Sequence, residues 1–130
     1  MAENVVERHL AVILFDGFEL LDTFGPIELF SAIPDVKIEL VAQRSGPVRS
    51  AQGVEVIAKL EYDELNDPDI ILVPGGMGTR TLAHDKSFLS WLTDIGNRSK
   101  VVASVCTGSA LFAAAGLLES HRATSNKLAF

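Results

Sequence analysis

The sequence predicts an α/β domain built on a doubly wound, mainly parallel sheet. Three compact apolar runs, at residues 9–15, 69–73 and 101–105, read as buried strands, because strands covered on both faces lose the alternation of a half-wet sheet. Patterns with helical spacing lie between and after them, and strands alternating with helices imply parallel pairing. The chain has 130 residues, which makes one domain of this class and not two.

Residues 9–15 form the first strand, and Asp16-Gly17 ends it. Residues 18–22 lead towards a helix whose start is predicted at Gly25-Pro26, since proline in the first helical position loses no needed hydrogen bond. Ile27, Phe30 and Ile33 give that helix its apolar side, and Pro34 stops it. Val36–Ala42 alternates as a second strand. Residues 46–49 and 53–58 read as a hairpin joined by a glycine turn, and 62–66 as a brief turn or helix. The run 69–73 ends in Pro74-Gly75-Gly76-Met77-Gly78. Residues 85–98 make an amphipathic helix with Phe88, Leu89, Leu92 and Ile95 on one side, and Trp91 reads as a helix-face core residue. The last strand, 101–105, passes through Cys106 into a helix over 107–115, followed by a short segment from Arg122.

Composition narrows the functions. The net charge is −6, from 17 acidic against 11 basic residues without a basic cluster, so nucleic acid and anionic membranes are poor partners. A single cysteine excludes an internal disulfide framework and suits a reducing compartment. The N-terminal residues do not read as a signal peptide, and no apolar run reaches membrane-spanning length, so the expected location is cytoplasmic. His9, His84 and His121 have no evident catalytic place and are expected to face solvent; neither a metal nor a cofactor is expected.

In parallel sheets function gathers beyond the C-terminal ends of the strands. Residues 16–22, 74–78 and Cys106 lie there. Cys106 stands where a strand turns into a helix through Thr-Gly-Ser, a turn tight enough to need Gly108. A nucleophile on such an elbow stands clear of its neighbours, at the end of a helix whose unpaired N–H groups favour thiolate. The competing reading is a small buried hydrophobe, the usual role of a lone cysteine. Asp22 reads either as a helix cap or as a carboxyl group sharing a proton with the cysteine, since adjacent anions repel. The 74–78 loop reads as a permissive turn, or as one that aims a backbone N–H into the crevice beside that of Thr107, as an oxyanion hole.

These residues together resemble the ThiJ/PfpI superfamily. The resemblance covers nearly the whole chain: Val12-Ile13-Leu14-Phe15, Leu21-Asp22 with Gly25-Pro26, residues 69–78, Val105-Cys106-Thr107-Gly108-Ser109, Ala114-Ala115-Gly116-Leu117-Leu118 and Arg122-Ala123-Thr124. It implies a flavodoxin-like fold with a cysteine elbow. Asp22 with Cys-Thr-Gly-Ser is particularly similar to the isocyanide hydratases, which implies Cys106 as nucleophile, Asp22 as acid/base partner and Gly76 and Thr107 as backbone donors. The implied activity is hydration of an isocyanide, a small electrophile, to an N-substituted formamide through a thioimidate. Peptidase members usually carry histidine directly after the cysteine; Thr107 stands here and argues against proteolysis.

Two alternatives use the same elbow: a ligand-sensing domain of a transcriptional regulator, and a glyoxalase- or deglycase-like activity on reactive aldehydes. Family domains continue past the equivalent of Phe130. Residues 1–130 are therefore read as a single, incomplete domain truncated at its C-terminal side, with a sheet face left for a longer chain or a second copy, as in a homodimer, to cover.

Overall fold

The computed structural model describes residues 6–125. Strand β1 (Arg8–Ile13) lies at the centre of a parallel sheet. On one side it pairs with β2 (Val36–Ala42), placing Leu10 opposite Ile38 and Val12 opposite Leu40. On the other it pairs with β6 (Ile70–Val73), which in turn pairs with β7 (Val101–Ser104). A two-residue strand, β5 (Leu60–Glu61), adds to the outer edge of β2, so the order is β5-β2-β1-β6-β7. The hairpin β3 (Gly46–Arg49) and β4 (Glu55–Ala58) stands apart and is antiparallel, as expected. Helix α1 (Leu20–Ser31) follows β1, α2 (Thr79–Leu82) and α3 (Lys86–Arg98) follow β6, and α4 (Gly108–Ala114) follows β7.

The apolar runs are buried as their composition demands. Leu10, Val12, Ile13, Leu14, Ile71 and Val73 are fully buried, so neighbouring residues on β1 and β6 are covered on both sheet faces. On α3 the predicted stripe is real: Phe88, Leu92 and Ile95 are buried, and the Asp85 carboxylate caps the helix by accepting from Phe88 N–H (3.1 Å). Trp91 stacks on Tyr62, from a single-turn 3-10 helix, with ring centroids 4.0 Å apart, which confirms its place in the helix-face core. Cover thins towards β7, where Val101 is 50% exposed and Ser104 is also exposed.

Helix α1 corrects one expectation. It starts at Leu20, and Pro26 lies inside it. The start is fixed from a distance: Gln52, in the hairpin turn, accepts Leu20 N–H (3.2 Å) and donates to the Glu19 carboxylate (2.7 Å), replacing the missing side-chain cap. Pro26 lacks the N–H that would bond the Asp22 carbonyl, a cost the helix tolerates within the packed domain. Asp22 therefore stands in the first helical turn, not ahead of the helix. Helix α2 and strand β5 were also not expected; both are too short to leave a periodic signal. His84 and His121 are exposed, while His9 is half-buried with its Nδ1 3.5 Å from Glu39 Oε1. Residues 126–130 of the expected terminal segment lie outside the described residues.

Candidate active site

The sheet order changes direction at β1, with β2 on one side and β6 on the other, and the loops that leave β1 and β6 meet beyond their C-terminal ends. The loops leaving these strands are tied to each other. Glu19 N–H donates to Gly75 O (2.9 Å) and Gly78 N–H to Gly17 O (3.3 Å). The hairpin braces the first loop, since Gly17 N–H donates to Arg49 O and Ala51 N–H to Phe18 O, both at 2.8 Å. The beginning of α1, which carries Asp22, is thus held against the 74–78 loop.

Cys106 is the middle residue of the three between β7 and α4, and its φ is +54°, in the left-handed region that non-glycine residues adopt at a cost of about 1–2 kcal/mol. That turn redirects the chain at once: Val105 N–H still donates to Val73 O (3.0 Å), and Gly108 N–H already donates back to Val105 O (3.0 Å). A side chain at 108 would run into the Val73 carbonyl, so the glycine is sterically required. The Cys106 carbonyl accepts from Ser109 Oγ (3.1 Å) and Ser125 Oγ (2.9 Å), which offsets the unfavourable backbone angle. Cys106 itself is half-buried.

Asp22 reaches the same place from α1. Its Oδ2 accepts Gly75 N–H at 3.2 Å. Burial pushes its carboxyl upward from the usual carboxylate range, the Gly75 hydrogen bond pulls it partly back, and neighbouring Glu19 pushes it up again. The carboxyl thus has a stronger hold on its proton than a solvated aspartate. A β-carbon built on Gly75 would lie 2.9 Å from Asp22 Oδ2, 2.8 Å from Thr107 N and 2.7 Å from Thr107 Oγ1. Asp22 and the peptide that follows Cys106 therefore converge over a glycine whose missing side chain leaves them room.

The two expected backbone donors are placed differently. Thr107 N borders the space over Gly75, 2.8 Å from where a β-carbon would stand. Gly76 N–H instead donates to Thr107 Oγ1 (3.0 Å), so the loop's donor is turned onto the elbow's hydroxyl. Four residues came to light only in three dimensions: Gly75 as the partner of Asp22, Thr79 behind Thr107, Ser125 on the Cys106 carbonyl, and Gln52 at the start of α1. Their partners are 53, 28, 19 and 32 residues away, so no local pattern pointed to them. Among the described residues no group of three His, Cys, Asp or Glu side chains is placed to hold a metal, and no helix is long and apolar enough to cross a membrane.

A sequence profile of the DJ-1/PfpI family matches residues 8–130. The chain belongs to the DJ-1/PfpI family. It is 34% identical over 117 residues to the isonitrile hydratase of Pseudomonas putida, covering 90% of this chain but 51% of that protein. The chain thus spans about half the length of that relative. It is 26% identical over 125 residues to protein/nucleic acid deglycase 2 of Escherichia coli, covering 94% of this chain and 73% of that one. Among solved structures, a ThiJ/PfpI family protein from Pseudomonas syringae superposes with a TM-score of 0.88 at 32% identity, over 93% of this chain and 51% of that one. The flavodoxin-like fold expected from the sequence is therefore the fold of this family.

Proposed function

We propose that this chain carries the reactive site of a cysteine-dependent enzyme that hydrates isocyanides to N-substituted formamides. The observation that carries the reading is the convergence of the strained Cys106 elbow, Thr107 N–H and Asp22 over Gly75. The similarity to an isonitrile hydratase supports the choice of substrate.

The steps follow from the groups present. The Cys106 sulfur bonds to the terminal carbon of R–N≡C, and Asp22 delivers a proton to that carbon, giving the thioimidate R–N=CH–S. Water then adds to the same carbon; of its two protons Asp22 takes one and the nitrogen the other. The C–S bond breaks, releasing R–NH–CHO and regenerating the sulfur nucleophile. Negative charge passes through the added oxygen, and Thr107 N–H is the donor assigned to it here. The raised proton affinity of Asp22 suits the first step, which needs a carboxylic acid, not a carboxylate.

The substrate is a small, neutral electrophile, the single thiol suits a reducing cytoplasm, and the chain self-associates as a homodimer. What supports self-association is an apolar strip on α1 and its exit, with Leu21, Phe24, Leu29 and Ile33 exposed by 75, 40, 74 and 50%. The test of activity is consumption of an aryl isocyanide by the protein and by Cys106→Ala. Formamide production by the wild type alone is expected. If isocyanides survive while methylglyoxal is consumed in a Cys106-dependent way, the aldehyde reading replaces this one, as the similarity to a deglycase would then explain.

A further inference from the structure

Thr79 opens α2 and is 3% exposed, so it cannot touch a substrate. Its Oγ1 donates to Gly76 O at 2.8 Å, an ordinary bond for a threonine in a first helical turn. A second contact has no such local explanation: Thr79 Oγ1 is also 3.2 Å from Thr107 Oγ1, 28 residues away. Thr107 Oγ1 in turn accepts Gly76 N–H at 3.0 Å.

Each hydroxyl has one proton to give. With Thr79 O–H on Gly76 O, the Thr107 proton has Thr79 Oγ1 at 3.2 Å or the longer Gly76 O contact at 3.5 Å. The shorter choice closes a ring: Gly76 N–H to Thr107, Thr107 to Thr79, and Thr79 to the Gly76 carbonyl. Both polar groups of Gly76 and both hydroxyls are then satisfied, and the loop after β6 is locked to the elbow after β7.

We propose that Thr79 is a positioning residue for the cysteine site: through the Thr79–Thr107–Gly76 ring it fixes Thr107, and with it the Thr107 N–H donor. The proposal rests on the reading of Cys106 as a nucleophile, but not on isocyanide as the substrate. Removing the Thr79 hydroxyl leaves Thr107 Oγ1 held only by Gly76 N–H and leaves the Gly76 carbonyl with the Thr79 N–H (3.1 Å) alone, so the tie between loop and elbow loosens. A donor misplaced by about 1 Å costs on the order of 100-fold in a step that develops negative charge.

Two reactions of Cys106 separate this role from a purely structural one. With p-nitrophenyl acetate the sulfur bonds to the carbonyl carbon, charge builds on the oxygen, and p-nitrophenolate leaves; the thiol proton goes to solvent. With iodoacetamide the sulfur displaces iodide and no oxyanion forms. The wild type, Thr79→Val, Thr79→Ser, Thr107→Val and the double Val variant are compared in both reactions, with Cys106→Ala subtracted. Thr79→Val is expected to slow acetylation about ten-fold or more while alkylation stays within about two-fold of wild type. Thr79→Ser restores acetylation, Thr107→Val reproduces the loss, and the double variant adds nothing further. If Thr79→Val does not fold, the wild-type ratio of Thr79→Ser against the lowered ratio of Thr107→Val carries the test. An unchanged ratio in the valine variants, a Thr79→Ser no better than Thr79→Val, or no Cys106-dependent acetylation overturns the proposal. Isocyanide consumption enters neither arm, so its failure leaves this result readable.

Discussion

Gly75→Ala is the smallest change that strikes the site. The added carbon would sit 2.7 Å from Thr107 Oγ1, 2.8 Å from Thr107 N and 2.9 Å from Asp22 Oδ2. Ordinary carbon–oxygen contacts begin near ~3.3 Å, so each neighbour must retreat by about half an ångström. Thr107 N belongs to the elbow backbone, which is pinned by Val105 N–H to Val73 O and Gly108 N–H to Val105 O. The Asp22 carboxyl is the end of a side chain and gives way first, which breaks its 3.2 Å bond from Gly75 N–H. Overpacking of this kind costs roughly 1–3 kcal/mol in stability. The acid/base group is displaced by a comparable fraction of an ångström, and the expected loss in turnover is about 100-fold. Gly25→Ala is the control, because beyond its chain neighbours its added carbon meets nothing within 4 Å inside α1. That variant should keep its activity and change stability little, because the gain in helix propensity is opposed by the clash of the new β-carbon with the Pro26 ring. Denaturant unfolding and isocyanide turnover read both variants. A Gly75→Ala protein with wild-type stability and turnover would refute the convergence of Asp22 and Thr107 over that glycine.

Asp22→Asn should lower turnover by roughly 100- to 10,000-fold while leaving Cys106 open to iodoacetamide, as mass spectrometry of the alkylated protein would record. Because the Asp22 proton is held more tightly in the folded state, its contribution favours folding at pH below the unfolded value of 3.8 and is lost as pH rises through the raised folded value. The stability of wild type relative to Asp22→Asn should therefore fall as pH rises from acid to neutrality, as unfolding curves across that range would record. Leu21→Lys with Leu29→Lys should shift the chain to a smaller species in light scattering without loss of fold, since both side chains are largely exposed in the single chain.

What was legible in the sequence was whatever is local. The run at 69–73 announced β6 because a strand buried on both faces has no room for polar alternation. The elbow was legible because a β-branched strand broken by Cys-Thr-Gly-Ser needs a tight turn with Gly108 in it; that Cys106 itself takes the left-handed conformation was not. The start of α1 was not legible: Gly25-Pro26 carries a helix-start signal, but Gln52 from the hairpin turn sets the first turn earlier. The direction of the Gly76 peptide was equally hidden. A glycine can present its N–H either way, and here the Thr107 hydroxyl, 31 residues on, decides it. Local pattern places side chains on elements; only tertiary packing decides which polar groups those side chains occupy.

The central claim, that Cys106 and Asp22 act together on an isocyanide, is tested most directly by intact-protein mass spectrometry during turnover of an aryl isocyanide. Wild type should release the N-aryl formamide with little adduct. Asp22→Asn should react slowly and retain the thioimidate on Cys106, because the same group serves both addition and release. Cys106→Ala should form neither adduct nor product. Formamide production by Cys106→Ala at the wild-type rate, or an adduct on any residue other than Cys106, would contradict the account.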